Sequence, residues 1–337
     1  MMHYCLNLAA KGAGKVSPNP LVGALIVADD DIIGEGFHQQ FGGSHAEVNA
    51  IASVMAEHEH LIKGATMYVN LEPCSHFGKT PPCADMLIEA GFKKVVIGTA
   101  DPNQEVNGDG IKKLIAAGIQ VEVGILESEC RDLNKHFFCF HEKQRPYIML
   151  KWAQSVTGFI ATHDHQPIHF TNAYSDLLVH KWRAESMGIL VGGKTVLSDN
   201  PNLTTRHWEG KNPTRIIIDT QGDLPANANI FNAEAATIVF NFFIDAQQDN
   251  ITLIKIENNN NILPQILAHL FKMKINSVLV EGGAITLQQF IDADLWDEIN
   301  YFETDNHLQH GLQAPIIPEG AWDQQAVLGD KLYNFKK

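Results

Sequence analysis

Apolar and polar positions along this chain switch repeatedly between a helical and a strand period. Near the start, Tyr4 to Lys11 has the spacing of a short helix, Leu21 to Val27 and Ile32 to Phe37 read as strands, and Ala46 to Glu57 as a helix. A strand is predicted over Thr66 to Leu71. Past a proline-rich loop, Cys83 to Ala90 reads as a helix stopped by Gly91. A β-branched run at Lys94 to Thr99, a helix at Gly110 to Ala117 and a strand at Gln120 to Val123 follow. Such alternation predicts one sheet with helices on both faces and functional loops at the strand ends.

Between Asn134 and Arg145 the pattern lapses into a polar stretch flecked with aromatics, and a new strand begins at Tyr147 to Trp152. This places a boundary between residues 1–144 and 145–337. The second half alternates again. Helices are predicted at Ser175 to Ala184, Ile262 to Lys272 and Ile285 to Ile291, and strands at Gly188 to Val191, Arg215 to Asp219, Thr237 to Phe240 and Ser277 to Glu281. The fold class is therefore α/β in both halves. The Asn258 to Asn261 run reads as a solvated loop.

Length supports the division, because 337 residues exceed what one hydrophobic core usually serves. At 45% hydrophobic and 19% charged residues the composition is that of a folded protein. No run of about 18 apolar residues and no leader-like start occurs, so no membrane partner is expected and a cytoplasmic location is. A net charge of −14 speaks against a nucleic-acid partner. It still allows one phosphorylated metabolite held by a few local donors. The five cysteines are odd in number and scattered, which fits metal ligation in a reducing compartment better than a disulfide framework.

Three of the candidate ligands stand at loop-to-helix junctions: His45 before Ala46 and Glu47, Cys74 after Pro73, and Cys83 after Pro81 and Pro82. Three protein ligands with one open position describe a catalytic zinc, which makes water reactive near neutral pH. Glu47 stands where a carboxylate can take the water's proton and pass it to a leaving amine. The pattern approaches the H-x-E…P-C-x-x-C signature of zinc nucleobase deaminases. It departs in having eight residues, not two, between the cysteines. Pro82 at a helix start would set Cys83 at the positive helix terminus. Ser44 to Glu47 also fits a capping box, with Ser44 as the N-cap and Glu47 reaching back to it, so Glu47 has a structural reading beside the catalytic one.

Taken together, Ser17-Pro-Asn-Pro-Leu-Val-Gly23, Gly34-Glu-Gly-Phe-His38, His45-Ala-Glu47, Leu71-Glu-Pro-Cys-Ser-His-Phe-Gly-Lys-Thr-Pro-Pro-Cys83 and Asp101-Pro-Asn103 resemble the deaminase half of the bifunctional riboflavin-biosynthesis deaminase/reductases. The eight-residue cysteine spacing is that family's own. The resemblance implies a cytidine-deaminase-like α/β/α domain. Its implied reaction converts a diaminopyrimidinone ribosylamine phosphate into the aminouracil, with Asn19, His38, His76, Lys79 and Asn103 lining the substrate site. Asn19 between prolines also suits a plain turn, and Lys79 a solvated charge.

In the second half, Glu281-Gly-Gly283 joins a strand to a helix, where glycines let backbone N–H groups approach a phosphate. A tight turn needs the same residues, and no G-x-G-x-x-G is present. Arg145-Pro-Tyr147, Lys151, Ser155, Gly158, Trp182-Arg-Ala184, Ile189-Leu-Val-Gly192, Thr195-Val-Leu197, Asp199-Asn-Pro-Asn-Leu-Thr-Thr-Arg206 and Val280-Glu-Gly-Gly283 resemble the same family's reductase half. That implies a dihydrofolate-reductase-like α/β domain using NADPH, with hydride delivery to the ribosyl C1. Arg183, Leu203, Arg206 and Glu281 would then meet substrate, and Thr195, Asp199 and Gly283 the cofactor. The bland readings are a surface cation for Arg183 and a turn residue for Asp199.

This half also departs from the family. Thr157 replaces an Asp, His163 to His169 replaces a segment ending in Trp-Ile-Thr, and Asp176 and Leu177 replace an Arg pair, which predicts weaker cofactor binding. His163, His165 and His169 are read as loop histidines. The resemblance further implies a homo-oligomer. Competing readings are a zinc deaminase whose second domain has lost reductase activity, a nucleoside or nucleic-acid deaminase, and a scaffold with structural zinc. The last would need a fourth protein ligand.

Overall fold

The alternation in the first 144 residues resolves, in a computed structural model describing residues 1–75, 77, 81–103, 106–162 and 170–337, into five strands and six α-helices. These are α1 (Met2–Ala10), β1 (Gly23–Ala28), β2 (Asp31–Phe37), α2 (Ala46–Ala52), β3 (Thr66–Leu71), α3 (Cys83–Ala90), β4 (Lys94–Thr99), α4 (Asp109–Ala116), β5 (Gln120–Val123), α5 (Glu127–Leu133) and α6 (Lys135–Lys143). The sheet runs β2-β1-β3-β4-β5, with β1 antiparallel to both neighbours and β3, β4 and β5 parallel. Alternate strand residues take opposite faces. Ala24, Ile26, Met67, Val69, Val95 and Ile97 pack against Ala46 and Ala50 of α2, Leu87 of α3 and Leu114 of α4. Leu25 and Val96 pack the other way, onto Cys5 and Leu8 of α1 and Cys130 of α5. The unit is the expected α/β/α sandwich.

Two expectations fail here. The helix from Ala46 stops at Ala52, and Ala56–Leu61 is a separate 3₁₀ helix. The Ser53 hydroxyl donates to the Ala50 carbonyl (2.7 Å) and accepts from the Glu35 amide (2.8 Å), which ends α2 and ties it to β2. The contact is close because β2 carries glycines there: a Cβ at Gly36 would lie 2.3 Å from the Ala50 nitrogen. Residues 135–143, inside the stretch read as a lapse, are likewise helical, as are 127–133 just before it, with Cys130, Phe137, Phe138 and Cys139 buried. The break at Asn134 interrupts the periodicity and hides both helices from a pattern reading.

The chain divides into compact units at Met1–Gln144 and Arg145–Lys337. The second contains β6 (Tyr147–Ser155), β7 (Phe159–Ala161), α7 (Ala173–Glu185), β8 (Gly188–Gly192), α8 (Gly193–Asp199), β9 (Thr214–Ile218), β10 (Thr237–Asn241), β11 (Ala246–Gln248), β12 (Ile251–Lys255) and α9 (Ile262–Lys272). It continues with β13 (Ser277–Gly282), α10 (Ala284–Asp292), β14 (Glu298–Thr304), β15 (Leu312–Gln313), β16 (Asp323–Val327) and β17 (Asp330–Lys336). The large sheet runs β11-β12-β10-β9-β8-β13-β6-β14-β17-β16, parallel from β12 to β14 and antiparallel at both edges. Ile148, Leu150, Leu190, Ile216, Val278 and Val280 pack on α9 and α10. Ile189, Val191, Ile217 and Val239 pack oppositely, with Val196 of α8. β13 lies between β8 and β6, so the chain leaves β8 and β13 in opposite directions along the sheet. The crevice this opens at their C-terminal ends is where open α/β sheets bind ligands.

Candidate functional site

The proposed metal ligands converge although 38 residues separate the first from the last. His45 is the residue before α2, Cys74 follows β3, and Cys83 opens α3 behind Pro82 as its N-cap. His45 Nδ1 lies 3.2 Å from Cys83 Sγ and 3.6 Å from Cys74 Sγ, and all three donor atoms fall within 4.8 Å of one another. Zinc bonds of about 2.3 Å to sulfur and 2.0–2.1 Å to nitrogen set tetrahedral ligand atoms roughly 3.5 Å apart, so the set fits zinc. The Cys83 amide donates to Cys74 Sγ (3.3 Å) and the Ala84 amide to the Cys74 carbonyl (3.1 Å), folding the loop back onto the helix terminus.

Electrostatics point the same way. Hydrogen bonds from Cys83 and His45 hold the Cys74 thiol down at about 4, despite its burial. The neighbouring Cys74 sulfur, together with burial, pushes Cys83 up, and the hydrogen bond to Cys74 raises His45. Cys83 and His45 thus hold protons among closely spaced donor atoms, protons that a divalent cation displaces on binding.

Glu47, only 3% exposed, sits beside this cluster, and burial, opposed by His45, raises its carboxyl. The capping-box reading does not hold. The N-cap of α2 is His45, not Ser44, and it makes no side-chain capping bond. Ser44 instead uses its carbonyl, which accepts from His38 Nδ1 at 2.9 Å. Since a carbonyl only accepts, Nδ1 carries a proton, and burial lowers His38, which favours the neutral ring. Its Nε2 therefore accepts from Asn19 Nδ2 (3.1 Å), which turns the Asn19 carbonyl oxygen away from His38. Asn103 lies after β4, its amide held by Asp101 Oδ1 at 2.8 Å. His76 and Lys79 lie outside the described residues.

Two residues that the sequence reading missed hold Asn19's segment. Asn134 stands before α6 where a helix cap is expected, but its side chain crosses to Leu21. Oδ1 accepts from the Leu21 amide (2.7 Å) and Nδ2 donates to the Leu21 carbonyl (2.9 Å). Asn70 repeats the arrangement from β3, accepting from Gly23 (2.8 Å) and donating to Leu21 (3.0 Å). Asn134→Ala removes both bonds from this half-buried peptide, leaving its carbonyl only the bond from Asn70, and is expected to cost about 1–2 kcal/mol of stability. Urea unfolding checks this; an unchanged midpoint contradicts it.

In the second unit, Arg183 of α7 and Glu281 of β13 are bound to each other. Arg183 Nε and Nη2 reach the two Glu281 oxygens at 2.7 Å each, and Nη1 reaches the Thr204 carbonyl at 3.1 Å. Burial alone would raise the Glu281 carboxyl, but Arg183 and Lys151 hold it at about 2, so it stays ionised. The charge of Arg183 is therefore already balanced. Lys151, half-buried on β6, has its ammonium pushed down by desolvation, which outweighs the opposing charge of Glu281. Arg206 is exposed beside a cavity of about 310 Å³ that Thr204, Thr205 and Asn212 also line. Its amide donates to His180 Nδ1 (3.1 Å), and burial and the nearby arginines lower His180 to about 4. The Leu203 side chain is buried in the core with Ile189 and Val191, so any ligand contact falls to its backbone, which has φ 53°.

Two of the cofactor candidates, Gly283 and Thr195, stand at the crevice. Gly283 is the N-cap of α10, with no side-chain capping bond, and Gly282 has φ 142°, which suits glycine alone. A Cβ at Gly283 would meet Thr195 Oγ1 at 3.1 Å, so the start of α8 lies against the start of α10. Uncapped amides behind a side-chain-free turn fit a dinucleotide phosphate. Asp199 ends α8 and accepts from Ser198 (2.7 Å). Thr157 has a structural place: the Phe159 amide donates to Ser155 Oγ (3.1 Å), Ser155 to Thr157 (2.9 Å) and Thr157 to the Leu308 carbonyl (2.8 Å). His163 to His169 lie outside the described residues.

Comparison with known proteins adds to this geometry. Residues 1–99 match the family model of the cytidine and deoxycytidylate deaminase zinc-binding region, and residues 146–302 that of the RibD C-terminal domain. The chain is 40% identical over 317 residues to the riboflavin biosynthesis protein RibD of Aquifex aeolicus, covering 92% of this chain and 88% of that protein. It is 40% identical to RibD of Bacillus amyloliquefaciens, covering 99% and 89%. A crystal structure of a diaminohydroxyphosphoribosylaminopyrimidine deaminase/5-amino-6-(5-phosphoribosylamino)uracil reductase from Thermotoga maritima superposes with a TM-score of 0.90. It is 38% identical, with 99% of this chain and 97% of that one covered. The RibD structure from Acinetobacter baumannii gives 0.89 at 32% identity, covering 99% and 97%. With identity of this level over nearly all of both chains, the protein belongs to the RibD family of bifunctional riboflavin-biosynthesis deaminase/reductases.

Proposed function

We propose that Met1–Gln144 is the zinc-dependent deaminase, and Arg145–Lys337 the NADPH-dependent reductase, of one enzyme of riboflavin biosynthesis. The substrate is a phosphorylated pyrimidine, the diaminopyrimidinone ribosylamine 5′-phosphate. The observation that carries the first assignment is the meeting of His45 Nδ1, Cys74 Sγ and Cys83 Sγ beside the buried Glu47. When bound, zinc activates a water for attack on the amino-bearing ring carbon. Glu47 takes the water's proton and returns it to the departing amine, which therefore leaves as ammonia. Asn19, oriented by His38, offers its carbonyl oxygen to a ring N–H. His76, Lys79 and Asn103 complete the substrate site in this reading.

For the reductase, NADPH when bound supplies hydride to the ribosyl C1. Gly283 and Thr195 receive its phosphate at the start of α10, with Asp199 nearby. Glu281, clamped by Arg183, orients the sugar, the Leu203 backbone borders it, and Arg206 holds the phosphate by charge-assisted bonds. Matches through both units support two activities over a deaminase with an inert second domain. Zinc-loaded protein should release ammonia from the diaminopyrimidinone phosphate and oxidise NADPH with the aminouracil phosphate; silence in either assay contradicts the corresponding half. Arg206→Ala is expected to raise the reductase KM roughly 10–100-fold, the worth of a bond to a charged group. Steady-state kinetics check this, and an unchanged KM removes Arg206 from the phosphate site.

The same reading places the enzyme in the cytoplasm as a homo-oligomer. The thiol ligands, which work in a reducing compartment, support the location. Among the described residues no helix is long and apolar enough to cross a membrane. Light scattering on the purified protein tests the oligomer.

A further inference from the structure

One buried carboxylate in the first unit takes no part in the chemistry above. Glu72 follows β3, two residues before the ligand Cys74, and is 4% exposed. Among the described residues no lysine or arginine pairs with it, and the groups its oxygens accept from are backbone amides. Oε2 accepts from Asp101 (3.1 Å) and Gly108 (3.1 Å), and Oε1 from Gly110 (3.0 Å) and Ile111 (3.3 Å). Gly108 is the N-cap of α4, and Gly110 and Ile111 lie in its first turn, so the carboxylate satisfies orphan amides and meets the positive end of the helix. The fit is close: a Cβ at Gly110 would stand 2.1 Å from the Pro73 carbonyl oxygen.

Glu72 thereby grips both ends of the loop between β4 and α4. Asp101, at one end, holds the Asn103 amide at 2.8 Å, and the Asn103 carbonyl accepts from Val106 (2.8 Å) and Asn107 (3.0 Å). On its other side, the Glu72 backbone continues through Pro73 into Cys74. We infer that Glu72 is a positioning residue of the deaminase: it fixes the Asn103 loop against the segment carrying the second metal ligand, so that substrate and metal are held in one frame. The inference rests on the reading of Asn103 as a substrate contact. A neutral amide cannot replace the carboxylate, because one of its two heads would present a donor to two N–H donors.

The test uses full-length, zinc-loaded protein. Glu72→Gln should raise the deaminase KM tenfold or more with a smaller loss in kcat, keep about one zinc per chain, and leave turnover of the aminouracil phosphate by the second unit unchanged. Hydrogen exchange at the Asp101, Gly108, Gly110 and Ile111 amides should quicken. Combined with Asn103→Ala, the two effects on KM should fall short of additive, since both act through one loop. Additive effects, or zinc lost in step with activity, overturn the inference. An unchanged KM in Asn103→Ala alone shows instead that the reading of Asn103 is wrong. Should Glu72→Gln fail to fold, Glu72→Asp, which keeps the charge but shortens the reach, carries the same readouts at smaller amplitude, and wild-type KM and amide protection in that variant overturn the proposal.

Discussion

Glu47→Gln is expected to keep its zinc while ammonia release falls by about two to four orders of magnitude, the usual range for losing general acid–base help. The carboxylate lies beside the His45, Cys74 and Cys83 cluster, buried and free of the helix-capping duty that its sequence position suggested. Glutamine preserves its shape and much of its hydrogen bonding, but accepts no proton. Because Glu47 ligates nothing in this account, metal content should not change. Reduction of the aminouracil phosphate should also continue at the wild-type rate, since that chemistry belongs to residues of the second unit. Zinc analysis and the two assays on one preparation decide the matter: near-normal ammonia release assigns Glu47 a purely structural place.

Cys74→Ser should have an effect on deamination at least as large, stripping most of the zinc and reducing deamination to background. One of three protein ligands is lost, and the hydroxyl replacing it is neutral and hard where zinc takes a soft anion. The Cys74 sulfur also accepts the Cys83 amide, so the loop that brings both sulfurs together loosens with it. Removing zinc from the wild type with a chelator should reproduce the phenotype, and re-addition should reverse it only where Cys74 is intact. Full zinc occupancy in Cys74→Ser would sink the ligand assignment.

Much of the metal centre is legible in the sequence because ligand chemistry restricts residue type, and prolines and loop-to-helix junctions mark where His45, Cys74 and Cys83 stand. The supporting residues are not legible in the same way. Asn134 resembles a cap for α6 and Glu72 an ordinary strand-end carboxylate until the fold shows their partners, 113 and up to 39 residues away. Arg183 and Glu281 each suggest a substrate contact, but α7 and β13 bring them into a bidentate pair that no spacing announces.

Strand β14 escapes pattern reading for a related reason. Its Glu298 and Asn300 are buried, and they are satisfied across strands by Tyr147 and Asn334, so polar residues occupy positions where a core strand is expected to be apolar. The parallel strands β8, β9, β10 and β13 carry continuous apolar runs and were legible. The short edge elements β11, β15 and β16 are mostly exposed and leave little apolar signal.

The central claim, that one chain performs both reactions, is met most directly by identifying a product. Wild-type, zinc-loaded protein is given the diaminopyrimidinone ribosylamine phosphate with NADPH, and the product is analysed by mass spectrometry. The account predicts a ribityl aminouracil phosphate, with ammonia released and NADPH consumed in equal amounts. A product that retains both amino groups of the diaminopyrimidinone ring, or a deaminated product whose ribosyl ring is still closed while NADPH is untouched, contradicts it.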